Sequence, residues 1–439
     1  MAEAPPISRL GLHSFSTRVL GHVLGLGTSV LIARALGPEG RGRYVLPVTI
    51  ATVVAAVINL GTPQAQFRLW SRRRWTIDEF VTSSVVLSVV LSVLGLTGLW
   101  LFYGATRAGL IHGVTALNLA IASCMVPFAI NQSRSGNLLT FNHALRDVNR
   151  ARLIGAAVQT SGIAVAFLWF GVTVEMVLVF AVLSVAVPSL LMSARLRNFG
   201  RLRGPIPWPL IREHLKVGLT IGPTSMFLLL NMRVDVFLVA RYKGLAGVGI
   251  YSIGVAFAEL LWLATEALSS SISGRQANDP AIEVLSLTYR AARMNLVLAV
   301  TLGVGIALVA PVAIPLVYGA RFADATEIVW ILVPAAALMG VWRPLNQAMV
   351  RFNRPGATSG IMLASLLVNV GANVLLIPLL GLVGAAVASL ISYSFGALVS
   401  HVVHHRTHST PFSWLIPRRQ EIKDLVALAR VMHRAPVEP

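Results

Sequence analysis

Apolar residues in this chain gather in long, nearly unbroken stretches, and each stretch ends at charge, proline or glycine. A run of about 20 such residues has the length of a helix crossing a bilayer, since a helix rises ~1.5 Å per residue through ~30 Å of hydrocarbon. Twelve can be placed, at 12–36, 44–67, 80–104, 109–133, 153–170, 172–194, 213–240, 247–273, 294–319, 326–350, 357–380 and 382–404. The fifth is short and the turn FGVT leads straight into the sixth, which predicts a tight hairpin. The longest basic linker lies between the sixth and seventh. The pattern therefore predicts an all-α polytopic membrane protein with two six-helix lobes, 1–207 and 208–405, and a tail, 406–439.

Composition sharpens this. Apolar residues make up 56% of the chain and charged ones 12%, against roughly 25% charged in a soluble domain. A net charge of +19 would suggest nucleic acid in a soluble protein. Its distribution says otherwise. With the N-terminus cytoplasmic, 26 of the 36 Lys and Arg fall in inside segments, 6 in outside ones, and 4 (Arg18, Arg34, Arg233 and Arg343) within spans. That is the positive-inside bias, so the charge is topological, both termini are expected in the cytoplasm, and no nucleic-acid partner is expected. Cys124, the single cysteine, excludes an internal disulfide. The N-terminal MAEAPPISRLGLHSF lacks the layout of a removable signal peptide. In the tail, Ile422, Leu425, Val426 and Ala429 recur at helical spacing with Arg418, Arg419, Lys423 and Arg430 off that stripe, as in a helix lying on the membrane surface, a disordered cytoplasmic end being the alternative.

An internal repeat is visible. Residues 31–48, LIARALGPEGRGRYVLPV, and 238–255, LVARYKGLAGVGIYSIGV, share eight identities in 18 positions at an offset of 207, among them Gly37/Gly244, Gly40/Gly247, Gly42/Gly249 and Tyr44/Tyr251. An offset of six spans keeps the corresponding helices running the same way, so the lobes are expected to be related by an axis along the membrane normal, a transporter layout.

The turn LIARALGPEGRGRY, the segment NMRVDVFLVARYKGLAGVGIYS and the joint IPLLGLVGAAVASLISY resemble the polysaccharide transporters of the multidrug/oligosaccharidyl-lipid/polysaccharide flippase superfamily, over about 12–405. Val255 and Ala256 depart from that pattern, which often has an aromatic and a basic residue there. The resemblance implies a V-shaped fold in a prokaryotic cytoplasmic membrane. It also implies that lipid-linked oligosaccharide or polysaccharide precursors move from the cytoplasmic to the outer leaflet, with membrane lipid and polysaccharide-assembly proteins as partners.

An ionisable side chain at mid-bilayer is expensive, by roughly 2.5–3.5 kcal/mol on an insertion scale, so each one needs a partner or a hydrated cavity. Arg18 shares a small and polar stripe with Ser14, His22, Gly25 and Ser29 and is expected to line a cavity, snorkelling being the alternative. Arg343, with Asn346 and Gln347 beside it and Pro344 to bend the helix, invites the same two readings. Arg233 and Asp235 lie about 200° apart on their helix, so only one can face a given cavity; Asp235 shares a stripe with Asn231. Glu259 and Glu266 are natural partners for Arg18, Arg233 or Arg343, and alternatively carriers in proton or sodium coupling. Ser365, Asn369 and Asn373 read as interhelical hydrogen-bonding groups. Arginine forks suit the diphosphate of a lipid-linked sugar. No resident cofactor or metal is expected, since the histidines of HVVHHRTH lack carboxylate or thiolate company. A cation-coupled multidrug exporter is the rival transporter. A membrane glycosyltransferase or polymerase is disfavoured by short outside loops without Asp-x-Asp, so the protein is not expected to be an enzyme.

Overall fold

The computed structural model describes residues 7–106, 113–202, 205–278, 281–352 and 355–421. Among them the structure is helical throughout, with no strand. In order, the helices are α1 (Ile7–Ile58), α2 (Thr62–Trp70), α3 (Ile77–Thr106), α4 (Ala116–Ser123), α5 (Met125–Phe141), α6 (Leu145–Val165), α7 (Val174–Leu196), α8 (Trp208–Asn278), α9 (Ala281–Tyr318), α10 (Ala325–Arg351), α11 (Pro355–Leu380) and α12 (Leu382–His408). Nine helices among the described residues are long and apolar enough to cross a membrane. Their outward faces agree: Leu308, Leu316 and Leu379 are 73%, 69% and 78% exposed. Large aliphatic side chains so exposed along whole helices suit lipid and not water. This is a multi-pass membrane protein. Trp100, Trp169 and Trp330 are likewise exposed.

Local chemistry sets the ends. Thr76 and Glu79 open α3 with a reciprocal capping box, the Glu79 carboxylate accepting from the Thr76 N–H at 2.7 Å and the Thr76 hydroxyl from the Glu79 N–H at 3.3 Å. Thr115 and Thr173 cap α4 and α7 through their hydroxyls. The short fifth span is extended backwards, to Leu145, and closes in a π-helical turn over Ala166–Phe170 before Gly171 reverses the chain.

Several expected spans differ in detail. The second is not continuous to 67, because α1 stops at Ile58 and α2 restarts at Thr62, with Leu60 and Gly61 at φ 50° and 67°. The fourth is interrupted at Cys124, between α4 and α5. The seventh and eighth form the single bent helix α8, just as the first and second form α1.

By packing, the chain divides into two compact units, 1–250 with 317–321, and 251–316 with 322–439. The first arm of α8 thus packs in the same unit as α1–α7. That unit is centred on Leu69, Phe80, Leu138, Leu139 and Leu210 and on Ala51, Ala55, Val126, Ile130 and Leu178. In the second unit Tyr289, Ala292 and Leu345 form a core. Nearby, Trp342 packs so closely on Gly396 that no side chain fits there. Ser365 and Ser392 join α11 to α12 through paired bonds of 2.8–2.9 Å, and Ser365, Asn369 and Asn373 are fully buried. Of the polar triplet on α11, Ser365 makes the interhelical bond, whereas Asn373 donates to Asn369 within the helix at 2.9 Å.

Candidate functional site

The repeat in the sequence is also a repeat in the backbone. α1 bends at Gly37 (φ 66°, ψ −173°) and α8 bends 207 residues later at Gly244 (φ 67°, ψ −171°). Only glycine takes that conformation without strain, since a Cβ would clash with its own peptide. In the first bend Pro38 adds to the effect, because it disfavours helix at the residue before it and has no N–H to donate. The second bend has Leu245 there and depends on the glycine alone.

These bends pack on each other reciprocally. A Cβ on Gly42 would overlap the Leu245 carbonyl, 2.6 Å from its carbon, and a Cβ on Gly249 would overlap the Pro38 carbonyl, 2.8 Å from its carbon. Gly42 corresponds to Gly249 in the repeat, and Pro38 to Leu245. The contact is therefore related to itself by a local two-fold, as an isologous interface is. Charged groups fasten its surroundings. Arg34 Nε donates to the Val317 carbonyl at 2.8 Å, and Arg41 donates to the Ser29 carbonyl at 2.8 Å with its guanidinium 5.9 Å from the Tyr318 ring centre.

A second feature lies at the break between α1 and α2. Its backbone presses against the first arm of α8, where Gly61 meets Gly218 and Gly222 with no room for a side chain on any of the three. Arg134 underlies the break. It is 1% exposed, and donates to the Thr62 hydroxyl at 2.6 Å, which donates in turn to the Asn59 carbonyl at 2.7 Å. Weaker bonds run from Arg134 to Ser88 (3.4 Å) and Ile130 (3.3 Å). Asn137 donates to the Pro63 carbonyl at 3.0 Å and to Gln66 at 3.3 Å, and Gln66 donates to Ser84 at 3.0 Å. Buried polar groups have to be satisfied in this way, and here they lock the broken helix to α3 and α5. The sequence reading had placed Arg134 among the cytoplasmic loop charges; it is inside the protein. Gln66, Ser84, Ser88 and Asn137, polar residues in or beside apolar runs, were the signal for it. Beside the break is a cavity of about 200 Å³ lined by residues of α1, α2, α5 and α8.

In the second unit, Arg343 of α10 and Glu266 of α8 form an ion pair at 3.5 Å, one of the pairings expected from the sequence. The guanidinium also lies 5.7 Å from the Trp262 ring centre, a cation–π arrangement. Asn346 is buried with an unpartnered Oδ1, whereas Gln347 is exposed. Arg343 lies between them on the same face of α10, and Asn346 and Gln347, about 100° apart, fall on its buried and exposed edges.

The remaining candidates are distributed. Arg18 lies on α1, but its side chain is outside the described ones. His22 is exposed. On α8, Asn231 and Asp235 are buried while Arg233 is only half-buried, in keeping with their opposed faces; Asp235 accepts from the Val236 N–H at 2.8 Å. Glu259 is half-buried, and none of His22, Asn231, Arg233, Asp235 and Glu259 lacks a partner. Among the histidines, His401 bonds the Tyr289 hydroxyl at 3.0 Å, His404 the Leu345 carbonyl at 2.9 Å and His405 the Thr410 carbonyl at 2.9 Å.

The last of these bonds, with one of 2.9 Å between the Tyr289 and Thr410 hydroxyls, belongs to a docked tail that sequence reasoning missed. Arg293, counted from the sequence as a loop charge, is buried against Glu421 at 2.7 Å, with side chains 9% and 3% exposed, and donates to the Trp414 carbonyl at 2.8 Å. Burial would raise the Glu421 carboxyl, but bonds from Arg293 and from the Arg418 N–H, with the Arg293 charge, hold it below the ordinary carboxylate range. The stripe Ile422, Leu425, Val426 and Ala429 lies outside the described residues.

Known proteins share this architecture. The lipid II flippase MurJ in an inward closed conformation superposes with a TM-score of 0.71 at 15% identity, over 97% of this chain and 93% of that one. An inward-facing multidrug resistance MATE transporter of the MOP superfamily gives 0.66 at 16% identity, over 91% and 98%. In sequence, the probable low-salt glycan biosynthesis flippase Agl15 of Haloferax volcanii is 23% identical over 170 residues, 38% of this chain, and the match spans 36% of that relative's length. Residues 12–273 match the family described as polysaccharide biosynthesis protein. That stretch takes in both glycine bends, the helix break with its buried arginine and the whole duplicated segment, and it makes this chain a member of the polysaccharide biosynthesis protein family.

Proposed function

We propose that the protein is a flippase that carries a lipid-linked oligosaccharide or polysaccharide precursor from the cytoplasmic to the outer leaflet by alternating access, without catalysing a covalent step. The observation that carries this reading is the reciprocal packing of the two glycine bends. A duplicated element meeting its own copy through backbone at Gly42 and Gly249 suits a contact that has to open and reclose. Membership of the polysaccharide biosynthesis family and the flippase names of MurJ and Agl15 supply the cargo class. Twelve crossings, with each bent helix crossing twice and α4–α5 once, leave both termini in the cytoplasm, as the positive-inside distribution favours.

Arg18, Arg233 and Arg343 are each candidates to hold the diphosphate through charge-assisted forked bonds, and His22, Asn231, Asp235, Asn346 and Gln347 are each candidates to contact the sugar. The polyprenyl tail stays in lipid. Glu259 and Glu266 are the carboxylates through which proton or sodium coupling would run, and the Arg343 pairing favours charge compensation for Glu266. Polysaccharide-assembly proteins would supply and consume the cargo.

The test is a vesicle assay. Purified protein is reconstituted with a fluorescent polyprenyl-diphosphate-linked sugar, and the outward-exposed fraction is followed with a membrane-impermeant quencher. The expected result is protein-dependent equilibration that Arg18→Ala slows and Arg18→Lys partly restores. Export of cationic dyes with no movement of the sugar lipid would overturn the proposal in favour of a drug exporter.

A further inference from the structure

We infer that the cavity at the α1–α2 break is a subsite for a single neutral sugar ring. The inference deepens the flippase reading and rests on it for the source of the sugar. Four side chains with amide or hydroxyl groups face the cavity, Asn59, Gln64, Ser133 and Ser225, alongside the apolar surfaces of Pro63 and Met226. Among the described residues no ionisable side chain lines it. The lining therefore offers neutral donors and acceptors interleaved with apolar patches, and a ring with hydroxyls on its rim and C–H groups on its faces matches that alternation. A cationic drug would find no carboxylate, and a diphosphate no exposed cation.

Size points the same way. At about 200 Å³ the cavity is smaller than the roughly 300–1,000 Å³ of sites for drug-sized ligands, and it suits one ring rather than an oligosaccharide.

Asn59 gives the cavity a specific demand. The residue is 8% exposed, and its Oδ1 has no hydrogen-bond partner. A buried acceptor left unmet is costly, and a turn of the Asn59 amide toward the cavity would let a ligand hydroxyl satisfy it. Its main-chain carbonyl is fixed through the Arg134–Thr62–Asn59 chain of bonds, which sets where the side chain leaves the backbone at the cavity wall. Arg134 is in this sense a positioning residue. The surrounding backbone agrees, since non-helical segments at membrane depth are tolerated where they line a cavity or are buried in protein, and broken helices mark substrate sites in transporters.

The test uses the full-length protein in lipid nanodiscs and saturation-transfer NMR with glucose, galactose, N-acetylglucosamine and rhamnose as probes. Ser225→Leu fills the cavity from an exposed position and leaves the fold intact. Asn59→Ala removes the unmet acceptor. The expected result is transfer to at least one sugar in the unmodified protein, reduced about tenfold or more in both variants. No transfer to any sugar, or equal transfer in all three proteins, overturns the subsite. The vesicle assay separates the two proposals. If sugar binds and the variants abolish it while the unmodified protein moves no sugar lipid, the subsite stands and the flippase reading fails. If the unmodified protein and Ser225→Leu move the sugar lipid equally and bind sugar equally, the subsite fails and the flippase reading stands.

Discussion

A Cβ added at Gly42 or at Gly249 tests the two-fold contact directly. In either variant the new carbon falls 2.6–2.8 Å from a backbone carbonyl carbon, closer than the 3.0 Å that Cβ atoms keep. Carbon pairs are most stable near 3.5–4.0 Å, so the bends have to part by roughly 1 Å. No flexible side chain is available to give way. Overpacking of this kind costs about 1–3 kcal/mol, and the reciprocity requires Gly42→Ala and Gly249→Ala to lose similar amounts. Independent sites would add, giving about 2–6 kcal/mol for the double variant. One separation of the bends relieves both overlaps, so the double variant is expected to lose little more than either single one. Gly244→Ala is the contrast, because space is open there and its φ of 67° alone opposes the substitution. The assay is the apparent thermal midpoint in detergent at one fixed scan rate, since unfolding of such proteins is seldom reversible. A neutral Gly249→Ala beside a damaging Gly42→Ala, or additive losses, would refute the shared contact.

Other outcomes follow from the second unit. Glu421→Ala leaves Arg293 buried without its counter-charge, a loss of about 3–5 kcal/mol by analogy with broken buried pairs, and should expose residues 409–421 to limited proteolysis at neutral pH. The Glu421 carboxyl lies below its ordinary range when docked, so its contribution is fully present above the unfolded pKa and lost only as pH falls through the lower docked value. Tail protection should therefore be flat between pH 8 and 6; a loss near pH 6.5 would point instead to the histidines. Glu266→Gln should shift stability by no more than about 1 kcal/mol, because the Glu266 side chain is 56% exposed, whereas Arg343→Ala should slow sugar-lipid movement. An unchanged rate in Arg343→Ala would remove that residue from the transport path. Ser365→Ala breaks a buried pair of bonds to Ser392 and should cost about 1–3 kcal/mol, read as a lowered midpoint.

Sequence patterns read some of this well, and the reasons are physical. Gly37 and Gly244 stood out because positive φ admits few other residues, so a conformational requirement was written as an identity. Arg343 was one of three arginines matched to Glu266 by charge economy in an apolar setting, and Ser365 was matched by the need of a hydroxyl in lipid for a partner. Arg134 and Arg293 were misplaced for the opposite reason. Hydropathy ends a span at the first charge, so an arginine near a span end is assigned to a loop unless its partners are known. Those partners lie far off in the chain, Thr62 for Arg134 and Glu421 for Arg293, and neither carries a local signal. The break at 59–61 was hidden because Asn59-Leu60-Gly61 sits between apolar runs and is averaged into them.

Arg134 has a consequence for how the molecule is made. While α5 is still a newly inserted helix, its guanidinium must stay in contact with water or headgroups. In the finished protein the same group is sealed away behind the Thr62 turn. Sealing Arg134 therefore requires α5 and the link after α1 to come together. A lysine in its place would carry the charge but lacks the planar fork that spans Thr62 and Ser88 in the assembled state.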